Sequence, residues 1–76
     1  MEQELVEYIA QNLVNNPEQV QVKSRRTSSS TILELHVASG DMGRVIGKQG
    51  RVANAIRSLL RVSATRKNTR IILEID

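Results

Sequence analysis

Val45-Ile46-Gly47-Lys48-Gln49-Gly50 is the stretch of this chain best suited to holding an anion. Two glycines bracket a cation and an amide, with apolar residues before them and an amphipathic run after them. Glycine accepts positive φ and, lacking Cβ, lets a bulky polyanion approach the backbone. A helix beginning at Arg51 would present unpaired amides and the positive end of its dipole, which suit a phosphate, and Lys48 adds a mobile positive charge. The chemistry implied is capture of a phosphate backbone. A second pair at the same spacing, Gly40-Asp41-Met42-Gly43, encloses an acid and a thioether, which do not attract phosphate. It reads as punctuation: Gly40 ends a strand, Asp41 caps a short helix, and Gly43 is small where elements approach.

Charge along the chain supports a polyanionic ligand. Residues 1–22 hold Glu2, Glu4, Glu7 and Glu18 and no Lys or Arg, a charge of −4. Residues 23–76 hold all eleven basic residues and four acids, a charge of +7, which together give the net +3. Between Asp41 and Glu74 there is no acid, while Arg44, Lys48, Arg51, Arg57, Arg61, Arg66, Lys67 and Arg70 lie there. Such a segment predicts salt-sensitive attraction to a polyanion.

Other functions find no support. No nucleophile-base pair or paired carboxylates in an apolar setting is present, and the glycine loop lacks the G-x-x-x-x-G-K-[ST] spacing of a P-loop, so no enzyme is expected. There is no cysteine, and the single histidine, His36, alternates with Leu35 and Val37 on the outer face of a strand, so no metal and no cofactor is expected. MEQELVEY lacks the basic start of a signal peptide, and no apolar stretch nears the ~20 residues of a bilayer span, so a cytoplasmic protein is expected.

The elements that must position the loop follow from periodicity. Leu5, Val6, Ile9, Ala10, Leu13 and Val14 recur at helical spacing, with Tyr8 at the stripe's edge, and Asn15-Asn16-Pro17 ends that helix. Glu18 to Lys23 alternates as a first strand. Ser24 to Ser30 reads as a polar turn with Arg25 and Arg26 at its tip, and Thr31 to Ala38 as a second strand with Leu33, Leu35 and Val37 inward. After the glycine region, Arg51 to Ser63 is a helix with Val52, Ile56, Leu59, Leu60 and Ser63 along one side and Arg57 and Arg61 on another. Thr65 to Asn68 is a basic turn. Thr69 to Ile75 is a last strand with Ile71, Leu73 and Ile75 inward, and Ile32 and Ile72 are left as an apolar pair on the outer strand faces. The order α-β-β-α-α-β makes the central helices a crossover between parallel second and third strands, beside an antiparallel hairpin. An α+β fold follows, a three-stranded mixed sheet with helices packed on one face, in one domain over 1–76. The N-terminal helix and first strand occupy 1–24 and the core motif region 31–76.

Asp41 to Arg57, and above all Val45 to Gly50 followed by Ala53 and Ile56, resembles the core motif of the KH RNA-binding domain, whose G-x-x-G loop clamps the backbone of four nucleotides. The element order matches the type II topology of that domain. From first helix to last strand the chain resembles the small single-domain bacterial KH proteins of the KhpA family, with Ala53 where many KH domains carry a large aliphatic residue. The resemblance implies single-stranded RNA binding and a role as RNA chaperone or post-transcriptional regulator linked to growth, cell shape and envelope processes. It also implies pairing as a homodimer or with a larger KH-containing protein. In this reading the loop and central helices form one wall of an RNA groove, and the edge of the second strand with the hairpin tip forms the other. Gly47, Lys48, Gln49 and Gly50 hold the sugar-phosphate backbone, with charge from Arg44, Arg51, Arg25 and Arg26. Val45, Ile46 and Val52 are the candidate floor for bases. With one tyrosine and no Phe or Trp, recognition relies on aliphatic contact and hydrogen bonds. The alternative is a protein interaction module in which a partner supplies most of the RNA binding.

Overall fold

Leu33 and Leu35, separated by one residue on the second strand, are entirely withdrawn from solvent, and the helices assemble over them. The structure, a computed structural model, describes residues 2–76. Helix α1 spans Glu2–Gln11, strands β1 and β2 span Gln21–Arg26 and Ser30–His36, helices α2 and α3 span Met42–Ile46 and Arg51–Arg66, and β3 spans Arg70–Ile75. The sheet order is β1-β2-β3, with β1 antiparallel and β3 parallel to the central β2. The α-β-β-α-α-β order and the mixed sheet are as the sequence pattern implies.

The core is Val6 and Ala10 of α1, Val20 before β1, Val22, Leu33, Leu35 and Leu73 of the strands, Val37 just past β2, Val45 of α2, and Ile56 and Leu60 of α3. Burying each large aliphatic contributes about 1.5–3 kcal/mol, which matters in a domain this small. The buried stripe of α3 is Ala53, Ile56, Leu60 and Ala64. Leu59, expected inward, is 54% exposed, because at 100° per residue it falls well off that line. On α1, Leu5 and Tyr8 are likewise exposed. That helix lies chiefly over the edge strand β1, so only a narrow strip is covered. It also ends earlier than expected. Asn12 donates through its side chain to Tyr8 O at 2.7 Å, taking a terminal carbonyl, and Leu13 falls beyond the helix.

The first strand is shifted. Pro17 opens a single 3-10 turn through Gln19, which delays β1 to Gln21. Pairing with β2 then extends it to Arg26, opposite Thr31. Ser24, Arg25 and Arg26 are therefore strand residues. The turn is Thr27 to Ser29, closed by Thr27 N–H donating to Ser30 O at 2.8 Å. Arg25 and Arg26 sit beside the tip and not on it, and Arg25 lies 3.8 Å from Glu34.

Asp41 does not cap α2. Its side chain is 1% exposed and accepts hydrogen bonds from Asn15 N–H at 3.2 Å and from the backbone and side chain of Asn16 at 3.0 and 3.1 Å. Burial alone would raise its pKa, but these donors and Arg44, 3.6 Å away, outweigh it and hold the carboxyl below the ordinary value. A buried carboxylate thus ties the α1–β1 connection to the start of α2. Gly40 lies in the 3-10 turn Ser39–Asp41, beyond the end of β2, and a Cβ on Gly43 would meet nothing within 4 Å, so neither plays the expected part.

A second carboxylate joins the helices. Glu2 accepts from Ser63 Oγ and pairs with Lys67 Nζ at 2.7 Å, tying the start of α1 to the end of α3. The hydrogen bond with Lys67, with help from that of Ser63, lowers its pKa from 4.5 to about 2. A depressed carboxylate pKa means the contribution is fully present above about pH 4.5 and is lost as pH falls towards 2. Glu2→Gln is expected to lower the urea midpoint at pH 7, with the two unfolding curves converging as pH approaches 2. A pH-independent gap between them would contradict the assignment.

Candidate nucleic-acid interface

Helix α2 stops because Gly47 leaves the right-handed region, at φ 78° and ψ 170°, while its N–H still bonds to Gly43 O at 2.8 Å. One 3-10 turn, Lys48–Gly50, then leads into α3, with Gly50 N–H donating to Gly47 O at 3.1 Å. Gln49 at φ 59° and Gly50 at φ 76° also have positive φ. A left-handed glutamine costs roughly 1–2 kcal/mol, and such strain is characteristic of binding loops.

The two glycines serve different purposes. A Cβ on Gly47 would lie 2.5 Å from Val52 Cγ2 and 2.8 Å from Val52 N, so no side chain fits. A Cβ on Gly50 would meet only Asn54 Nδ2, at an ordinary 3.7 Å, so that position needs glycine for its φ alone. Lys48 and Gln49 are exposed. The first turn of α3 carries no acid, and no side chain caps it, which leaves the positive end of a sixteen-residue helix facing the loop.

Around this loop the structure gathers Arg44, Arg51, Ile46 and Val52. Ile46 and Val52 are half-buried and Arg44 and Arg51 exposed. Val45 is 0% exposed and belongs to the core, so it supports the floor from beneath and cannot touch a base. Arg25 and Arg26 are not brought here. Helix α3, about 24 Å long, separates the loop from the hairpin end of the sheet beside which these two arginines lie, where Thr69 Oγ1 donates to Ser29 O at 3.3 Å.

The second wall expected from the edge of β2 is also corrected, since β2 is paired on both sides and has no free edge. The free edge beside α3 belongs to β3. Between them runs a groove of 390 Å³ lined by Arg57, Arg61, Thr65, Arg70, Ile72 and Leu73. The sequence carried a signal for it in Arg57 and Arg61, four apart on α3, and in the crossover that makes β3 an edge strand. A larger hollow, of 500 Å³, lies on the open face of the sheet, with Lys23 and His36 but also Glu34, Glu74 and Asp76. Those acids make it the wrong surface for a polyanion. Among the described residues no group of His, Cys, Asp and Glu is placed to hold a metal ion, and no helix is long and apolar enough to cross a membrane.

The family described as "KhpA/KhpB, KH domain" matches residues 3–75. The chain belongs to this KH family. It is 50% identical to RNA-binding protein KhpA of Clostridium acetobutylicum over 72 residues, 95% of this chain and 96% of that one. It is 51% identical to RNA-binding protein KhpA of Treponema pallidum over 75 residues, 99% of this chain and 94% of that one. The namesake in Borreliella burgdorferi is 45% identical over 72 residues, covering 95% and 88%. No solved structure matches the chain significantly.

The difference between the two glycines of this loop is measurable. Gly47→Ala is expected to destabilise the domain by about 2 kcal/mol or more, through clash and strained φ together. Gly50→Ala should lose only about 1 kcal/mol, from φ alone. Urea denaturation of both variants checks the order, and equal losses would show that the Val52 contact is not limiting.

Proposed function

We propose that the chain acts as a single KH domain over 1–76 that binds single-stranded RNA, seating the sugar-phosphate backbone on Gly47, Lys48, Gln49 and Gly50. The observation that carries this reading is the loop itself: three positive-φ residues, an exposed lysine and a helix start with no acid and no side-chain cap meet at one spot. Arg44 and Arg51 add charge, and Ile46 and Val52 give an apolar footing. The RNA then runs along α3 towards the free edge of β3, over Arg57 and Arg61. Arg25 and Arg26 are reached only by a longer strand passing the far end of that groove. The namesakes are RNA-binding proteins, which supports the same ligand here. A binder of this kind, in the cytoplasm, suits an RNA chaperone or post-transcriptional regulator.

A second reading, pairing with another copy or a larger KH protein, is favoured by one observation. Leu5 and Tyr8 of α1 and Leu59 and Val62 of α3 are 42, 67, 54 and 56% exposed, on helix surfaces that do not include the loop. Pairing there leaves the clamp open, and two short-footprint clamps in one assembly bind more tightly through effective concentration.

Fluorescence anisotropy with a labelled twelve-nucleotide RNA tests the clamp. Wild type is expected to bind with log K falling against log salt with a slope of about −2 to −3, as about four phosphate contacts to a single strand require. Lys48→Asp combined with Gln49→Asp should weaken binding at least about tenfold while fold and molar mass in solution stay unchanged. Unchanged binding would overturn the clamp. A change of molar mass instead would place a protein contact at the loop.

A further inference from the structure

We propose that Arg57 is the base-reading residue of this domain and that it selects guanine, an inference that rests on the RNA reading above. Arg57 projects from α3 into the groove, where its guanidinium donates to Leu73 O and to Asn54 Oδ1, both at 3.4 Å. Both bonds are at the long limit of useful geometry, so exchanging them for a ligand's acceptors forfeits little.

The carbonyl it touches lies on an open edge. Asp76 N–H donates to Leu35 O, and Asp76 O accepts from Val37 N–H, so the backbone of Asp76 faces β2. In a parallel ladder a residue's N–H and C=O point to the same side, and the side alternates along the strand. Glu74 and Ile72 therefore face β2, while Leu73 and Ile71 face the groove. A base entering between α3 and β3 meets the Arg57 fork and the Leu73 carbonyl next to each other.

The cationic side chains lining this groove are donors only. Arg57, Arg61 and Arg70 line it, and no acid occurs from Met42 to Leu73. A rigid pair of N–H donors matches a base edge with two adjacent acceptors, which guanine presents at O6 and N7. Adenine sets an amino donor beside N7, which opposes the fork. Uracil offers a single acceptor at the corresponding edge. Cytosine pairs two acceptors at its Watson–Crick edge, but its single ring covers less of the apolar lining of the groove, which includes Ala64 and Ile72, than a purine does. Lysine at this position would keep the charge and lose the fork.

The test is the affinity of the chain for four labelled hexamers, UUNUUU with N as G, A, C or U, measured by anisotropy for wild type, Arg57→Lys and Arg57→Gln. Wild type is expected to bind the G hexamer about tenfold more tightly than the A hexamer. Arg57→Lys should bring the G-to-A ratio to within about twofold, with an unchanged thermal midpoint. Arg57→Gln should lose the ratio and some affinity for all four. A wild type with no base preference or a preference for cytosine, or an Arg57→Lys ratio equal to that of wild type, overturns the assignment while leaving the clamp standing. Failure of wild type to bind any hexamer overturns the RNA reading and this inference with it.

Discussion

A side chain at residue 47 would force its surroundings to move. Val52 comes so close that a Cβ there would sit 2.5 Å from its Cγ2, and the φ of 78° is closed to most residues in any case. The packing of Val52 on the Gly47 backbone fixes where α2 ends, how tightly the chain turns, and where α3 begins. Because that turn is tight, α3 starts directly beside the exposed Lys48, with Arg51 N–H donating to Lys48 O. The rest of the domain serves this arrangement: Val45 anchors the preceding turn in the core, and the Ala53, Ile56, Leu60 and Ala64 stripe holds α3 against the sheet.

Charge is partitioned to match. Two acids that fall near the basic surface are consumed in internal contacts: Asp41 is buried under the Asn15 and Asn16 amides, and Glu2 is held by Ser63 and Lys67. The remaining acids of the second half, Glu34, Glu74 and Asp76, lie together on the open face of the sheet. The layer carrying the loop and α3 therefore attracts a polyanion, and the sheet face does not. Neutralising structural acids in this way keeps the acid-free run from Met42 to Leu73 effective at the surface.

What the sequence made legible was what local chemistry dictates. The order of elements, the central position of Leu33 and Leu35, and the glycine loop all came from periodicity and turn residues. The exposed end of β1 was hidden because Ser24, Arg25 and Arg26 carry no alternation, and only pairing with Thr31 to Leu33 makes them a strand. Asp41 looked like a helix cap because capping is the commonest use of such a residue, and its real donors lie 25 and 26 positions earlier. Val45 could not be told from Ile46 by pattern, since one turn of helix decides which is buried. The groove along β3 depended on which strand is left at the edge, a property of the whole sheet.

Amide chemical shifts followed while single-stranded RNA is titrated into the isotope-labelled chain test the account most directly. The largest changes are expected on residues 44–52, Arg57, Arg61 and the β3 edge at Ile71 and Leu73, with Gln21, Lys23, His36 and Glu74 on the sheet face unmoved. Changes centred on the sheet face or on the outer surface of α1, with Gly47 to Gly50 silent, would contradict it.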